Sequence, residues 1–254
     1  GWFDTETLRF NRLADFFELS AQSAHDHEYT AAWVDCTIRG SAVGRGVFSR
    51  GNHAAQPAGA RAPRSVQLCM SFTPPFSLVN GASLRAFNVL YFRRAPKAMR
   101  RAPRHYLPWL FPLDDIREWN RMYGPRGFLQ YQCVLPPATA QDGSRELLER
   151  IAASGTGSFL AVLKQFGEMP SRGLLSFPRP GTTLALDFAN RGQHTFALLD
   201  RLDDVVAEAG GAVYPAKDAR MSGERFRQYF PAWRQFQAFI DPAFSSGFWR
   251  RVSQ

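Results

Sequence analysis

Apolar and polar residues along positions 127–215 follow two different spacings. Strand-like patterns cover 127–135, 159–166, 182–188 and the short segment 212–214. Helical spacing covers the first and last intervals between them, with apolar stripes formed by Leu147, Leu148 and Ile151 and by Leu198, Leu199, Leu202, Val205, Val206 and Ala209. Ser144 is the predicted N-cap of the first helix. Gly155 and Gly210 follow the two stripes and are predicted to end the helices.

The predicted order of these elements is β-α-β-β-α-β. This order is typical of a ferredoxin-like unit, in which both helices cover one face of an antiparallel sheet. We therefore expect an α+β fold with an antiparallel β-sheet, helices packed on one face, and a ferredoxin-like βαββαβ unit at about 127–215. The other face of the sheet then remains open to a different partner.

The first third of the chain follows a similar plan with weaker signals. Strands are predicted at 5–10, 29–36 and 46–48. A helical stripe lies between the first two and contains Leu13, Phe16, Phe17 and Ala21, with Asn11 as its cap. Residues 51–65 are predicted to form a loop, and further helices are predicted at about 82–93 and 114–123.

Composition supports a folded protein with an excess of positive charge. The chain has 254 residues, 45% of them hydrophobic, and a net charge of +9. Its densest basic run, at 93–104, contains two prolines and no apolar periodicity, so we predict a mobile, solvated loop. Attraction of an anionic substrate or membrane surface is the second interpretation. Nucleic acid is a poor third, because no nucleic-acid-binding motif surrounds the run.

Several classes of protein are excluded or disfavoured by the sequence. No apolar stretch approaches a membrane span, and no signal-peptide pattern opens the chain, so we expect a cytoplasmic location. Cys36, Cys69 and Cys133 are far apart and odd in number, which disfavours a disulfide framework, and Cys133 is predicted to lie in the core. No metal-ligand, Ser-His-Asp or phosphate-loop spacing is present. The start at Gly1, without a methionine, indicates a processed product or a fragment.

The faces of the predicted strands suggest where chemistry could occur. Because side chains alternate along a strand, the face opposite the apolar one gathers polar groups from three strands: Gln130, Gln132, Lys164, Thr183 and Asp187. One interpretation is a solvent-exposed sheet surface. The other is a floor of amides and an ammonium group that binds hydroxyls, as in a sugar or polyol.

Lys217 follows the last predicted strand and can carry a positive charge to the same site. The alternative is an ordinary loop lysine that pairs with Asp218 or Asp187.

Four ordered motifs resemble a known family. They are Gly127-Phe128-Leu129-Gln130-Tyr131-Gln132, Lys164-Gln165-Phe166-Gly167, Leu175-Ser176-Phe177-Pro178-Arg179-Pro180-Gly181 and Tyr214-Pro215-Ala216-Lys217-Asp218. Together they resemble the C-terminal part of FAD-linked oxidoreductases of the vanillyl-alcohol oxidase class, in the branch of bacterial decaprenylphosphoryl-ribose epimerase flavoprotein subunits. The segments 114–127 and 241–251 are also similar to that branch.

The resemblance implies that residues 1–254 form a substrate domain, while FAD is held mainly by an N-terminal domain that is missing from this chain. It implies oxidation of a sugar or polyol hydroxyl by hydride transfer to flavin, with this chain alone inactive. Thr183 and Ala185 depart from the branch, so the sugar stays open. A lipid-linked substrate and a short-chain reductase partner are further implied partners. The basic run at 93–104 adds a membrane-surface contact to the expectations, and nucleic acid is not expected.

The resemblance also implies roles for individual residues. Lys217 is the expected catalytic residue, and Tyr214 and Phe166 are expected beside the cofactor. The expected substrate-binding residues are Gln130, Gln132, Lys164, Thr183, Asp187 and Trp33. The alternative function is a stand-alone ferredoxin-like binding module without catalysis.

Overall fold

A computed structural model describes residues 1–62, 68–113, 115–217, 220–241 and 243–253. Eight strands form one fully antiparallel sheet in the order β10-β7-β9-β8-β2-β3-β1-β5. Two short strands, β4 and β6, form a separate parallel pair. The strands are β1 (Trp2–Phe10), β2 (Tyr29–Val34), β3 (Gly46–Ala54), β4 (Leu68–Cys69), β5 (Arg100–His105), β6 (Ile116–Arg117), β7 (Phe128–Leu135), β8 (Val162–Phe166), β9 (Gly181–Ala189) and β10 (Ala212–Val213).

Eight α-helices accompany these strands within the described residues. They are α1 (Leu13–Ser23), α2 (Gly81–Arg94), α3 (Tyr106–Leu110), α4 (Ala140–Ser154), α5 (Gln193–Glu208), α6 (Gly223–Tyr229), α7 (Trp233–Gln237) and α8 (Gly247–Val252). None of the described helices has the length and apolar character needed to cross a bilayer.

The sheet consists of two βαββαβ units joined edge to edge. The predicted unit is β7-α4-β8-β9-α5-β10, and its strand order β10-β7-β9-β8 is that of a ferredoxin-like unit. The elements β1-α1-β2-β3-α2-β5 repeat this order with strands β5-β1-β3-β2. The two units meet where β2 pairs with β8. The α+β class and the predicted unit are therefore confirmed, and the weaker echo in the first third is a complete second unit.

One helix layer covers one face of the sheet. The amphipathic helices α1, α4 and α5 bury their apolar stripes against the strands, and the resulting core includes Leu13, Leu147, Leu202 and the sheet residues Leu163 and Leu184. Cys133 is fully buried in this core, as predicted. The three cysteines are free, with Cys36 also buried and Cys69 exposed.

One helix, α2, lies on the opposite face of the sheet. Its buried residue Phe92 packs with Trp33 and Val47, whose side chains project from the face opposite the helix layer. Within α2, Phe87 and Leu90 are exposed and the buried positions are Leu84, Asn88 and Phe92. Asn88 donates a hydrogen bond of 2.9 Å to the buried Asp35 carboxylate, so a polar contact fixes the middle of this helix.

The prediction of a mobile loop at 93–104 is wrong. Arg93 and Arg94 end α2, and residues 100–105 form the edge strand β5, which pairs with β1. Pro103 is compatible with a strand here because an edge strand leaves half of its backbone groups unpaired. The predicted loop at 51–65 begins later than expected, since β3 continues to Ala54.

Local helix signals were less accurate than the strand pattern. Arg12, not Asn11, is the N-cap of α1, and α4 begins after Thr139, so Ser144 lies inside the helix. The predicted helix at 114–123 is replaced by β6 and a 3-10 turn at Trp119–Tyr123, and Asp114 lies outside the described residues. The helix stops at Gly155 and Gly210 are confirmed, since both adopt positive φ.

Candidate active site

The open face of the second unit carries a row of polar side chains. Lys164 on β8 is the cross-strand neighbour of Thr183 on β9. Gln130 on β7 is likewise opposite Asp187 on β9. The alternate residues of these strands, among them Leu163, Leu184 and Leu186, are buried under the helix layer. Strand alternation therefore brings the predicted polar residues together on one surface, as the sequence pattern indicated.

Two side-chain hydrogen bonds connect members of this row. The Gln132 Nε2 group donates to Thr183 Oγ1 at 3.1 Å. The Lys217 Nζ group donates to Gln130 Oε1 at 2.8 Å. Lys217 ends a short 3-10 turn directly after β10, which explains how a loop residue reaches the sheet surface. Asp218, the alternative partner of Lys217, lies outside the described residues.

Asp187 is the acidic member of this row and is buried, at 6% relative exposure. Burial raises the pKa of its carboxyl group to about 6, while a hydrogen bond from Gln130 and the positive charge of Lys217 lower it. The three residues therefore form a connected group in which the Gln130 amide lies between an acid and an ammonium. This arrangement fixes the Gln130 amide with its oxygen toward Lys217 and its nitrogen toward Asp187.

Tyr123 extends this group and was not identified from the sequence. Its ring stacks on Phe128 with centroids 4.6 Å apart, and burial and the Asp187 charge raise the pKa of its hydroxyl. The residue lies in the Tyr123-Gly124-Pro125 segment, which carried a family resemblance but no predicted role. A cavity of about 410 Å³ adjoins Tyr123 and is also lined by Asn190 and Arg191.

Aromatic rings close one end of the open face. Tyr214 stacks on Phe177 with centroids 4.5 Å apart and planes inclined by 24°. Phe166 meets the same Phe177 ring edge-on at 6.0 Å. The two residues predicted to lie beside a cofactor are therefore joined through Phe177. Phe177 lies in the Leu175–Gly181 motif, which carries a family resemblance but predicts no role for this residue.

Trp33 lies on the same sheet face but not at its open part. It is 7% exposed, and Tyr91 of α2 packs against it with ring centroids 4.7 Å apart. Its indole N–H donates to the Phe159 carbonyl at 2.8 Å, so this donor is already satisfied within the fold. The structure thus separates Trp33 from the polar row, and its expected contact with substrate remains a prediction.

The row presents exposed amide and ammonium groups above a rigid sheet. Gln130 and Lys164 are exposed, whereas Thr183 is buried beneath its neighbours. Such groups can donate hydrogen bonds to several hydroxyls and support a negative charge that develops near Lys217. Among the described residues, no cluster of three or more histidine, cysteine or acidic side chains could hold a metal ion.

Two bacterial proteins of the curated collection are similar in sequence to this chain. The chain is 33% identical over 246 residues to decaprenylphosphoryl-β-D-ribose oxidase of Mycolicibacterium smegmatis, which covers 91% of this chain and 52% of the relative. It is 30% identical over 265 residues to a Streptomyces coelicolor protein known by its position in the 5′ region of mprA, covering 98% of this chain and 72% of that protein. The chain thus spans about half the length of the first relative.

A solved structure supports the fold. CrmK, a flavoenzyme involved in shunt product recycling in caerulomycin biosynthesis, matches 97% of this chain and 55% of its own with a TM-score of 0.52 and 10% identity. At this identity the likeness concerns the fold alone. No family model matches the chain.

Proposed function

Because this chain belongs to the FAD-linked oxidoreductases of the vanillyl-alcohol oxidase class, we propose that it forms the substrate domain of an enzyme that oxidises a hydroxyl group of a sugar or polyol. The observation that carries the proposal is the open row of polar side chains. Its amides and ammonium groups match a ligand with several hydroxyls, and a purely apolar substrate would leave them unpaired. The alternative of a stand-alone ferredoxin-like module has less support, because one such unit here is part of a larger eight-stranded sheet.

FAD is the cofactor of this family, and the residues of the open face fit one side of a flavin ring. Lys217 supplies a positive charge for the electron-rich reduced ring, and the rings of Tyr214 and Phe166 supply apolar contact. The sequence contains no glycine-rich phosphate loop, so we propose that a separate domain holds most of the cofactor. When bound, FAD supplies the acceptor for the hydride of the carbinol carbon.

In this proposal the protein positions the substrate and stabilises charge. Lys217 donates to the reacting hydroxyl oxygen and stabilises the negative charge that develops there as the hydroxyl proton passes to a general base outside this chain. The Gln130 amide holds the Lys217 ammonium in place, and Asp187 holds the amide. Gln132 and Lys164 bind the remaining hydroxyls and so fix the orientation of the substrate.

The test is the change Lys217→Ala in the full-length protein that contains this chain. We expect reduction of bound flavin by a sugar or polyol substrate, found first with a substrate panel, to slow by more than about 100-fold. The visible spectrum of the flavin should be retained, since the residue is not expected to carry cofactor affinity. Lys97→Ala is the matched control, because Lys97 is exposed and distant in the fold from the polar row.

Unchanged flavin reduction in the Lys217→Ala protein would remove Lys217 from the mechanism. Failure of every sugar and polyol to reduce the flavin of the unmodified protein would reject the proposed substrate class.

A further inference from the structure

The edge of the sheet farthest from the polar row is strongly basic. We define the basic edge as residues 93–104, which connect the end of α2 to the outermost strand β5. Its basic residues are Arg93, Arg94, Lys97, Arg100, Arg101 and Arg104, and the segment contains no acidic residue. The six charges are therefore concentrated on a short exposed segment that forms one border of the molecule.

Most of these charges are not compensated within the fold. Arg101 pairs with the buried Glu6, which lies on the helix-layer side of β1. Arg100 and Arg104 are opposite Thr7 and Phe3 of β1 and project from the other face. Among the described ion pairs, Arg101 is the only member of the basic edge that takes part. Five exposed positive charges thus remain available to an external partner.

An apolar surface continues directly from this basic edge. The helix α3 starts at the residue after β5, and its side chains Leu107 and Leu110 are exposed, as is Phe111 at 47%. Met99, within the basic edge, is also exposed at 43%. Trp109 of the same helix points the other way and packs on Phe3 with centroids 4.8 Å apart. The short helix therefore anchors one aromatic ring to the sheet and leaves aliphatic side chains outside.

We propose that the basic edge and the outer side of α3 dock the protein on an anionic phospholipid bilayer. Basic side chains beside a membrane are attracted by its negative surface potential, and exposed apolar side chains gain by entering the interface. Arginines and Pro103 on an edge strand also protect it from pairing with other chains. That protection does not account for the three exposed apolar residues that follow the strand, because such residues promote association.

The chemistry favours a bilayer over nucleic acid. Single-stranded RNA or DNA is bound through aromatic rings on which bases stack. Here Met99, Leu107 and Leu110 give the exposed surface next to the charges an aliphatic part, and the Trp109 ring is turned onto Phe3. The exposed aromatic ring of Tyr91 already packs against Trp33 and Phe87. An aliphatic surface next to arginines has a direct counterpart in acyl chains next to phosphate groups. The proposal is independent of the oxidation proposed above, and each can fail without the other.

The test is co-sedimentation of the full-length protein that contains this chain with vesicles. One set contains phosphatidylcholine with about 30% phosphatidylglycerol, and the other contains phosphatidylcholine alone. We expect binding to the anionic vesicles at least about tenfold stronger than to the neutral ones, and weaker binding as salt rises. Equal binding to both sets, or no binding to either, would overturn the proposal without any variant.

Variants then locate the surface. Arg100→Ser with Arg104→Ser should reduce binding to anionic vesicles by about tenfold or more, whereas Arg145→Ser with Arg201→Ser, on the helix layer, should not. Leu107→Ser combined with Leu110→Ser and Phe111→Ser should weaken binding that persists at high salt. Circular dichroism confirms that each variant is folded. If the helix-layer variant loses as much vesicle binding as the Arg100/Arg104 variant, net charge alone is responsible. If the protein captures a single-stranded RNA oligomer but no vesicles, its partner is a nucleic acid. Either result overturns the proposal.

Discussion

The buried acid of the polar row provides the sharpest test of the site's electrostatics. Asp187 is almost inaccessible, and burial raises the pKa of its carboxyl group from an ordinary value of 3.8 to about 6. Because the folded protein holds this proton more tightly than the unfolded chain does, the free energy of unfolding falls as pH rises from about 4 to about 6. Above that range the group is ionised in both states, and the penalty is constant.

The size of this penalty follows from the shift. A difference of about two pH units at about 1.4 kcal/mol per unit gives about 3 kcal/mol of lost stability at neutral pH. Asp187→Asn removes the charge and keeps an oxygen that can accept the hydrogen bond from Gln130. We therefore expect the variant to be more stable than the unmodified protein by about 2–3 kcal/mol at about pH 7.5, and equally stable at about pH 4.

Urea denaturation at both pH values measures these differences directly. Asp26→Asn is the control, because Asp26 is an exposed acid and its neutralisation should have little effect at either pH. A variant that is equally stabilised or destabilised at both pH values would show that Asp187 does not titrate as the structure requires. Destabilisation of the variant at neutral pH alone would show that the Asp187 charge stabilises the fold, and would refute the prediction.

Two further predictions concern the packing and charge of the first unit. Gly46→Ala should lower the free energy of unfolding by more than about 3 kcal/mol, because a Cβ there would lie 2.1 Å from the Trp33 carbonyl oxygen. Gly167→Ala is its control, because a Cβ at Gly167 would have no atom within 4 Å. Arg45→Ala should cost about 3–5 kcal/mol because it removes the ion-pair partner, at 2.8 Å, of the fully buried Asp35 carboxylate and leaves that charge with only the neutral donors of Thr37 and Asn88. Urea denaturation measures both, and the second idea fails if combining Arg45→Ala with Asp35→Asn recovers none of the loss.

The strand pattern carried most of what the sequence could predict. Alternation along β7, β8 and β9 assigned the faces correctly, because a slip of one residue would have exposed Cys133 of β7, Leu163 of β8 or Leu184 of β9. The same alternation predicts that Gln130 and Asp187 lie on one face of the sheet. The pairing of β7 with β9 makes them direct cross-strand neighbours, which the sequence pattern could not predict.

The parts that sequence reasoning missed depend on contacts between distant segments. The strand β5 is held by hydrogen bonds to β1, nearly one hundred residues earlier, so its own composition of arginine and proline gave no strand signal. Tyr123 and Phe177 acquire their positions by stacking on Phe128 and Tyr214. The helix cap at Arg12 depends on the Asp15 carboxylate, which accepts from the backbone of residues 11 and 12.

The placement of the second helix in each unit explains why, among the described residues, α2 covers the face of the first unit whereas the equivalent face of the second unit is open. In the predicted unit, α5 buries a broad apolar stripe in the helix layer and leaves the polar row uncovered. In the first unit, α2 occupies the equivalent place in the chain order but lies on the other face, above Trp33. Trp109 covers more of that face through its contact with Phe3.

This asymmetry supports a role for the second unit's face in binding. Two units of the same topology share one sheet, so folding alone does not require one face to be covered and the other left open. That face also keeps the buried Asp187 carboxyl, whose pKa is raised by burial to about 6, so its ionisation at neutral pH opposes folding. A surface shaped only by stability would have lost that charge, since stabilising substitutions are common wherever no function opposes them. In the proposed mechanism the charge of Asp187 acts on Lys217 through Gln130, whose Oε1 accepts a hydrogen bond of 2.8 Å from the Lys217 ammonium.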